Sequence, residues 1–378
     1  MSLESRWHPQ SAAYPGQRSH ASGLVVEPEF YLEDHGGRSF NLAPFFRYDA
    51  GDPSRTHVDL REAYLLLFGG VANSEWELRL GVDRVFWGVT ESRHLVNIVN
   101  QIDQVEHPYK EPKLGQPMAH LTFSGDWGTA EVFGLTYHRA RTFPGRFGRL
   151  RFPFVVDNDM VSYESDAKQW HLDVAGRYSR SFGPLDLGMS VFDGTSRDPF
   201  LILDPDRSGE PAFVPIYEQI RQFGLDAQVT AGSWLFKLEA IRRTGARNRV
   251  GVEEDYSAST FGGEYTFYSV SGSAVDLTLL SEWNYDGRRQ YATNIFQNDF
   301  FLAARIAFND VQSTEILTSI LRDADSTGRV LTLELNRRIS DQWSLRLEAI
   351  TFQGIQEVDL TYLTRRDSFV ELNLIYNF

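Results

Sequence analysis

The chain has 378 residues, with 51 Asp and Glu against 37 Lys and Arg, a formal net charge of −14 and no cysteine. That acidity excludes a nucleic-acid-binding protein, which needs a basic face to neutralise phosphates. Mean hydropathy is slightly polar and no apolar run approaches the roughly 18 residues of a membrane-spanning helix, so a helical membrane protein is excluded as well. A membrane barrel is not excluded, because alternating apolar and polar positions average to a neutral score.

Aromatic residues make up 13% of the chain, 27 of them Phe and 16 Tyr, which suits strands and interfacial girdles. The absence of cysteine fits assembly in an oxidising compartment. No Pro-, Ser- or Gly-rich stretch divides the chain, so 1–378 reads as one closed unit. The opening Met1-Ser2-Leu3 reads as a trimmed start without a signal peptide.

In chain order, two-residue alternation predicts strands near 22–32, 39–50, 57–68, 75–86, 117–125, 128–138, 168–181, 185–193, 219–230, 232–243, 257–269, 274–285, 299–309, 313–322, 329–339, 343–353 and 368–378. In the second of these, Phe40, Leu42, Pro44, Phe46 and Tyr48 alternate with Asn41, Ala43, Phe45, Arg47 and Asp49. Further on, Leu331, Leu333 and Leu335 oppose Thr332, Glu334 and Asn336. Closed bacterial barrels carry even numbers of strands with both ends on one side, so a first strand is added near Leu3 to Trp7. The count is then eighteen, with sixteen as the alternative.

Short turns such as 124–128, 181–184, 230–233 and 339–342 alternate with longer connections, of which 87–116, 139–167 and 194–218 are the largest. That asymmetry is the one between periplasmic turns and extracellular loops. The fold expected is therefore an all-β, antiparallel, up-and-down transmembrane barrel enclosing a hydrated lumen.

Function is expected on the inner wall and in the long loops. Charges of both signs recur at inward positions, among them Arg47, Arg79, Asp173, Arg177, Asp226, Glu264, Arg305, Glu334, Arg346 and Glu348, with Glu239 and Glu282 on the same face. In connection 87–116, Leu95, Ile98, Val99 and Ile102 recur at helical spacing, which predicts a short amphipathic helix within 91–103. Folded into the lumen, it would turn Arg93, His94, Asn97, Asn100, Gln101 and Asp103 toward the channel as a constriction; the alternative is a helix over the mouth, as a lid or in contact with a neighbouring subunit. Arg139, Arg141, Arg146, Arg149 and Arg151 form a basic run without an acid, suited to lipopolysaccharide phosphates or to an anion vestibule. His120, His138 and His171 lack the close spacing of a metal site, so no metal or cofactor is expected. Neither GxSxG nor HExxH occurs, and an enzyme is not expected.

The last ten residues, FVELNLIYNF, put Val370, Leu372, Leu374, Tyr376 and Phe378 on one face and Glu371, Asn373 and Asn377 on the other. This segment resembles the closing strand of bacterial outer-membrane barrels, which implies recognition by the barrel-assembly machinery. The run GVDRVFWGVTESRHLVNIVNQID at 81–103, followed by KLGQPM at 113–118, resembles porin-like barrels of the alginate-export and DUF1302 types. The matching positions are Trp87, Gly88, Asn100 and Asp103. The resemblance implies an outer-membrane location, contact with lipid and lipopolysaccharide, and a transport role. The expected function is passive diffusion of a small polar solute; a dedicated channel for a polymer or hydrophobic compound, and a glycan- or lipid-binding surface barrel without transport, are the alternatives. The oligomeric state is left open.

Overall fold

The computed structural model describes every residue except Pro108 and Ser208, which fall within connections 87–116 and 194–218. Strands Ser2–Trp7, His20–Val26 with Phe30–Glu33, Ser39–Asp49, His57–Val71, Ser74–Asp83, Gln116–Gly125, Gly128–Leu135, Asp173–Phe182 and Leu185–Thr195 follow one another as antiparallel neighbours. Gln219–Ala231, Trp234–Thr244, Tyr256–Phe267, Asp276–Asp286, Asn298–Ala307, Glu315–Asp323, Arg329–Arg338, Trp343–Gln353 and Phe369–Tyr376 complete the circuit. The last strand pairs with the first, from Ser2↔Ile375 to Trp7↔Val370, and the barrel closes with eighteen strands and no free edge.

Pro28 explains why one crossing is written as two strands. It lacks a ladder donor, and pairing with strand Ser39–Asp49 breaks between Val26 and Phe30 before resuming. A second irregularity follows Pro44. The register shifts there, leaving Arg61 as an extra residue opposite the Ala43–Pro44 step, and the bulge aims its guanidinium inward over the Phe45 ring at 4.1 Å.

Connections 34–38, 72–73, 126–127, 183–184, 232–233, 268–275, 308–314 and 339–342 lie at one end with both termini, while all the long ones, 84–115 and 136–172 foremost, lie at the other. Pieces of two long loops add a small sheet at the loop end, in which Phe200–Arg207 and Glu210–Tyr217 form a hairpin and Val155–Val156 and Ser162–Tyr163 run parallel to its second strand. Among the described residues the only helices are short 3-10 turns, and none is long and apolar enough to cross a membrane.

Alternation decides the two faces. Outward positions such as Val132, Met189, Leu279, Leu302, Leu333 and Leu372 are exposed apolar side chains. Exposed aromatics flank them, with Phe68, Trp127, Phe182, Trp234 and Phe267 toward the turns and Trp7, Tyr48, Trp170, Trp283 and Phe300 toward the loops. An apolar band between two aromatic girdles is the surface of a barrel immersed in lipid. The core is inside the barrel.

Candidate functional site

Residues 84–115 leave the rim and enter the lumen, where Leu95, Val96, Ile98 and Val99 join Trp87 and wall residues Met118, Phe133, Leu135, Phe192, Ile220 and Ile241 in one buried cluster. Full burial of each such side chain contributes about 1.5–3 kcal/mol. The expected helix is absent. Although Leu95, Ile98 and Val99 are buried as the pattern suggested, the N–H groups of Glu91, Ser92 and Val96 and the carbonyl of Leu95 are paired with wall side chains, and the Val99 carbonyl with Arg197.

Glu239 of strand Trp234–Thr244 is fully buried. Its Oε1 accepts from the backbone N–H of Val89 at 2.8 Å and Thr90 at 3.0 Å and from the Thr90 hydroxyl at 2.7 Å, while Oε2 accepts from Val96 N–H at 3.2 Å. Glu282 of strand Asp276–Asp286 accepts from the N–H groups of Glu91 and Ser92, both at 2.8 Å, and from the Ser92 hydroxyl at 2.6 Å. Consecutive N–H groups aimed at one carboxyl make an anion cradle. Each glutamate therefore binds loop backbone, a role that alternation alone could not separate from a plain wall charge.

The four positions of the family resemblance all fasten this loop. Trp87 meets Phe133 edge-on with centroids 5.4 Å apart, and the Arg177 guanidinium lies 5.6 Å from its ring. Gly88 has φ +142°, and a Cβ there would stand 2.9 Å from Glu239 Oε1, so only glycine lets the chain pass this close. Asn100 accepts from Val85 N–H and donates to the carbonyls of Asp83 and Leu114, all at 2.9 Å, joining the two stems of the loop. Asp103 accepts from Arg61 and from the Thr142 hydroxyl, both at 2.6 Å.

The expected constriction residues are thus corrected. Arg93, Asn97, Asn100, Gln101 and Asp103 are buried, with Gln101 and Asp103 at 0% exposure, because each satisfies protein groups where water would otherwise be needed. Arg93 reaches Asp286 and the Phe296 carbonyl, and Asn97 accepts from Trp87 N–H. His94 is half-buried against Phe86. The loop residues that form ion pairs with strands 298–353 are ones the sequence did not single out. Lys110 Nζ lies 3.0 Å from Glu334 and 2.9 Å from Glu348, and Glu91 meets Arg305 at 3.2 Å.

The wall candidates all point inward, into pairs. Arg47 bonds Glu4 and Glu106; Arg79 bonds Glu77 and Asp83; Arg177 grips Asp226 with two contacts of 2.6 and 2.8 Å; Glu264 meets Lys237 at 2.7 Å. Asp173 accepts from Arg197, Thr195 and His171. Arg346 bonds Asn336, and Arg305 also faces Glu315. In the loops, burial raises the Glu106 carboxyl above its ordinary range against the pull of Arg47 and Arg55, and Asp103 adds to the rise.

The basic run does not form one anion-binding surface. Arg139 bonds Asp59, Arg141 bonds Asp198, Arg149 bonds Asp367, and Arg151 donates to the carbonyls of Phe152 and Pro153 over the Tyr14 ring. Arg146 alone of the five is exposed, beside Glu210. The acids that answer these arginines come from distant parts of the chain, which a local reading of 139–151 could not show. The three histidines are also separate: His120 stacks on Phe133, His138 faces the Ser196 carbonyl, and His171 meets Asp173.

No protein-family model and no curated protein matches the sequence. Resemblance to the alginate-export and DUF1302 types therefore rests on residues 81–103, 113–118 and the final strand alone. Among solved structures, a triple-substituted porin of Rh. blastica is 10% identical, with a TM-score of 0.44 over 100% of this chain and 97% of that one. A protein solved under the description "Asymmetric conductivity of engineered proteins" is also 10% identical, with a TM-score of 0.45 over the same shares. The barrel's own topology, not these distant likenesses, fixes the fold.

Proposed function

We propose that this protein is an outer-membrane channel through which small polar solutes diffuse passively, selected by a charged lumen that loop 84–115 narrows. One observation carries this: the loop is anchored by Glu239 and Glu282, while the strands that follow next around the barrel keep Arg305, Glu315 and Glu334 partly exposed, at 34%, 44% and 24% of their side chains. An apolar band between aromatic girdles supports the membrane setting, and long loops gathered at one end support an extracellular mouth. The solute path then runs along strands 298–346 and past Lys110, with mixed charges setting preference by local potential.

A gated channel dedicated to one compound is the second reading. It is favoured by a further packed cluster near the loop end, where Leu150 of another loop joins Val330, Ile350, Phe352 and Phe369. Planar-bilayer recording separates the two. For the diffusion channel, the wild type should show a steady ohmic current, and shortening 91–103 to a Gly-Ser linker should raise conductance and the solute size limit together. A closed wild type that opens only after the shortening would favour the gated reading; no current from either protein would defeat both.

A further inference from the structure

His57 begins strand His57–Val71, and its ring lies between two carboxylates of the lumen loop. Its Nδ1 is 3.0 Å from the Arg55 carbonyl oxygen, so Nδ1 donates there and Nε2 is turned to the far side. A backbone carbonyl fixing one ring nitrogen is how ligating histidines are oriented. Nε2 stands 3.5 Å from Glu106 Oε1 and 3.8 Å from Asp103 Oδ2. Both separations exceed a hydrogen bond, and Nε2 and Oε1 are buried without a hydrogen-bond partner among the described residues. The Glu106 side chain is only 9% exposed. Two ligands held about 2.0–2.2 Å from one tetrahedral ion lie roughly 3.3–3.6 Å apart, which accommodates the gap between Nε2 and Oε1.

Charge points the same way. Through ion pairs, Glu4, Asp49, Asp59, Asp103 and Glu106 share only Arg47, Arg55, Arg61 and Arg139. That connected set holds five carboxylates against four guanidinium groups. We propose that His57, Asp103 and Glu106 bind a divalent first-row cation of the zinc kind. One imidazole and two carboxylates suit such an ion. An open groove of about 720 Å³ at the rim, lined by His57, Arg139, Pro144, Asp157 and Arg207, gives it a way in. Bound there, it ties the lumen loop to the mouth of the strand that carries His57.

The test uses the untagged, folded full-length barrel in detergent, dialysed against Zn2+ alone, with Co2+ as a spectroscopic substitute. The expected result is one equivalent of Zn2+ bound, a Co2+ ligand-field spectrum with nitrogen ligation, and affinity lower by about tenfold or more in His57→Gln and Glu106→Gln. Heat-modifiable migration on a gel verifies that each variant folds; if a variant does not, the wild-type stoichiometry and Co2+ spectrum decide. Absence of stoichiometric binding by the wild type, unchanged binding by folded His57→Gln, or a His57 ring that stays doubly protonated at neutral pH with Zn2+ present would each overturn the site.

Discussion

On strands 116–286 the inward positions hold Met118, Phe133, Phe192 and Ile241, against which Leu95, Val96, Ile98 and Val99 lie dry; on the adjoining strands 298–346 they hold Arg305, Glu315, Glu334 and Arg346, none of which is buried. Both walls carry the same alternation and the same apolar outer face. The difference lies in what the inner face offers the loop. The first wall supplies apolar area together with two carboxyls that accept loop N–H groups, so loop and wall satisfy each other without water. The adjoining wall supplies long charged side chains whose remaining hydrogen-bonding capacity needs solvent. In the proposed channel, one side of the lumen is dry and the other is left wet.

The largest expected effect comes from removing both anchors. Hydrogen bonds to a charged acceptor contribute about 1.5–3 kcal/mol each, and Glu239 and Glu282 together take up seven of them. The double variant Glu239→Ala, Glu282→Ala should free the loop, raising conductance and protease sensitivity within 84–115 while the barrel remains heat-modifiable. A double variant with wild-type current and protection would mean that the packed cluster alone holds the loop.

Next in size is Trp87→Ala, which removes the largest loop side chain from the dry wall and should cost about 3–5 kcal/mol. Hydrogen exchange should then show faster opening of 84–100 but unchanged strands 298–346. Equal loosening of both walls would erase the distinction between them. On the outer face of the wet wall, Leu333→Arg should cost about 2–4 kcal/mol if it sits near the bilayer midplane, measured by reversible unfolding in lipid vesicles. A neutral effect would place that face outside the membrane.

The smallest effect is pH-dependent and lies away from both walls. Burial, with Glu164 and Asp198 adding to it, pushes the Glu218 carboxyl up to about 7 despite Arg247. Because the folded state holds this proton more tightly than the unfolded chain does, the stabilisation is complete below the ordinary value of 4.5 and is lost as pH rises through about 7. Amides of 196–218 should exchange faster at pH 8 than at pH 6 beyond the intrinsic rate change, and Glu218→Gln should abolish the extra acceleration.

Strand positions were legible because lipid outside and charge inside impose a strict period of two. Even the first strand, placed by parity alone, is present as Ser2–Trp7. The strand expected at 168–181 begins later, at Asp173, since Lys168 takes φ +52° in a 3-10 turn that alternation does not reveal. The helix in the lumen loop was misread for a related reason. Spacing of Leu95, Ile98 and Val99 reports burial, not where the backbone of the segment finds its partners, and for the N–H groups of Glu91, Ser92 and Val96 those are Glu282 and Glu239, more than 140 residues away. Ion pairs such as Arg149–Asp367 and Arg139–Asp59 have the same character. Local pattern shows the charge, whereas only the closed barrel shows what answers it.

The division of the lumen into a dry and a wet wall is tested most directly by thiol accessibility, for which the absence of native cysteine gives a clean background. Single cysteines are placed at inward Ala258, 2% exposed beneath the loop, and at inward Asn336, which bonds Arg346 on the wet wall. A small charged thiol reagent is then added to channels in a planar bilayer. The expected result is rapid modification of Asn336→Cys with a fall in current, and no reaction at Ala258→Cys. Rapid reaction at Ala258→Cys with protection at Asn336→Cys would contradict the account.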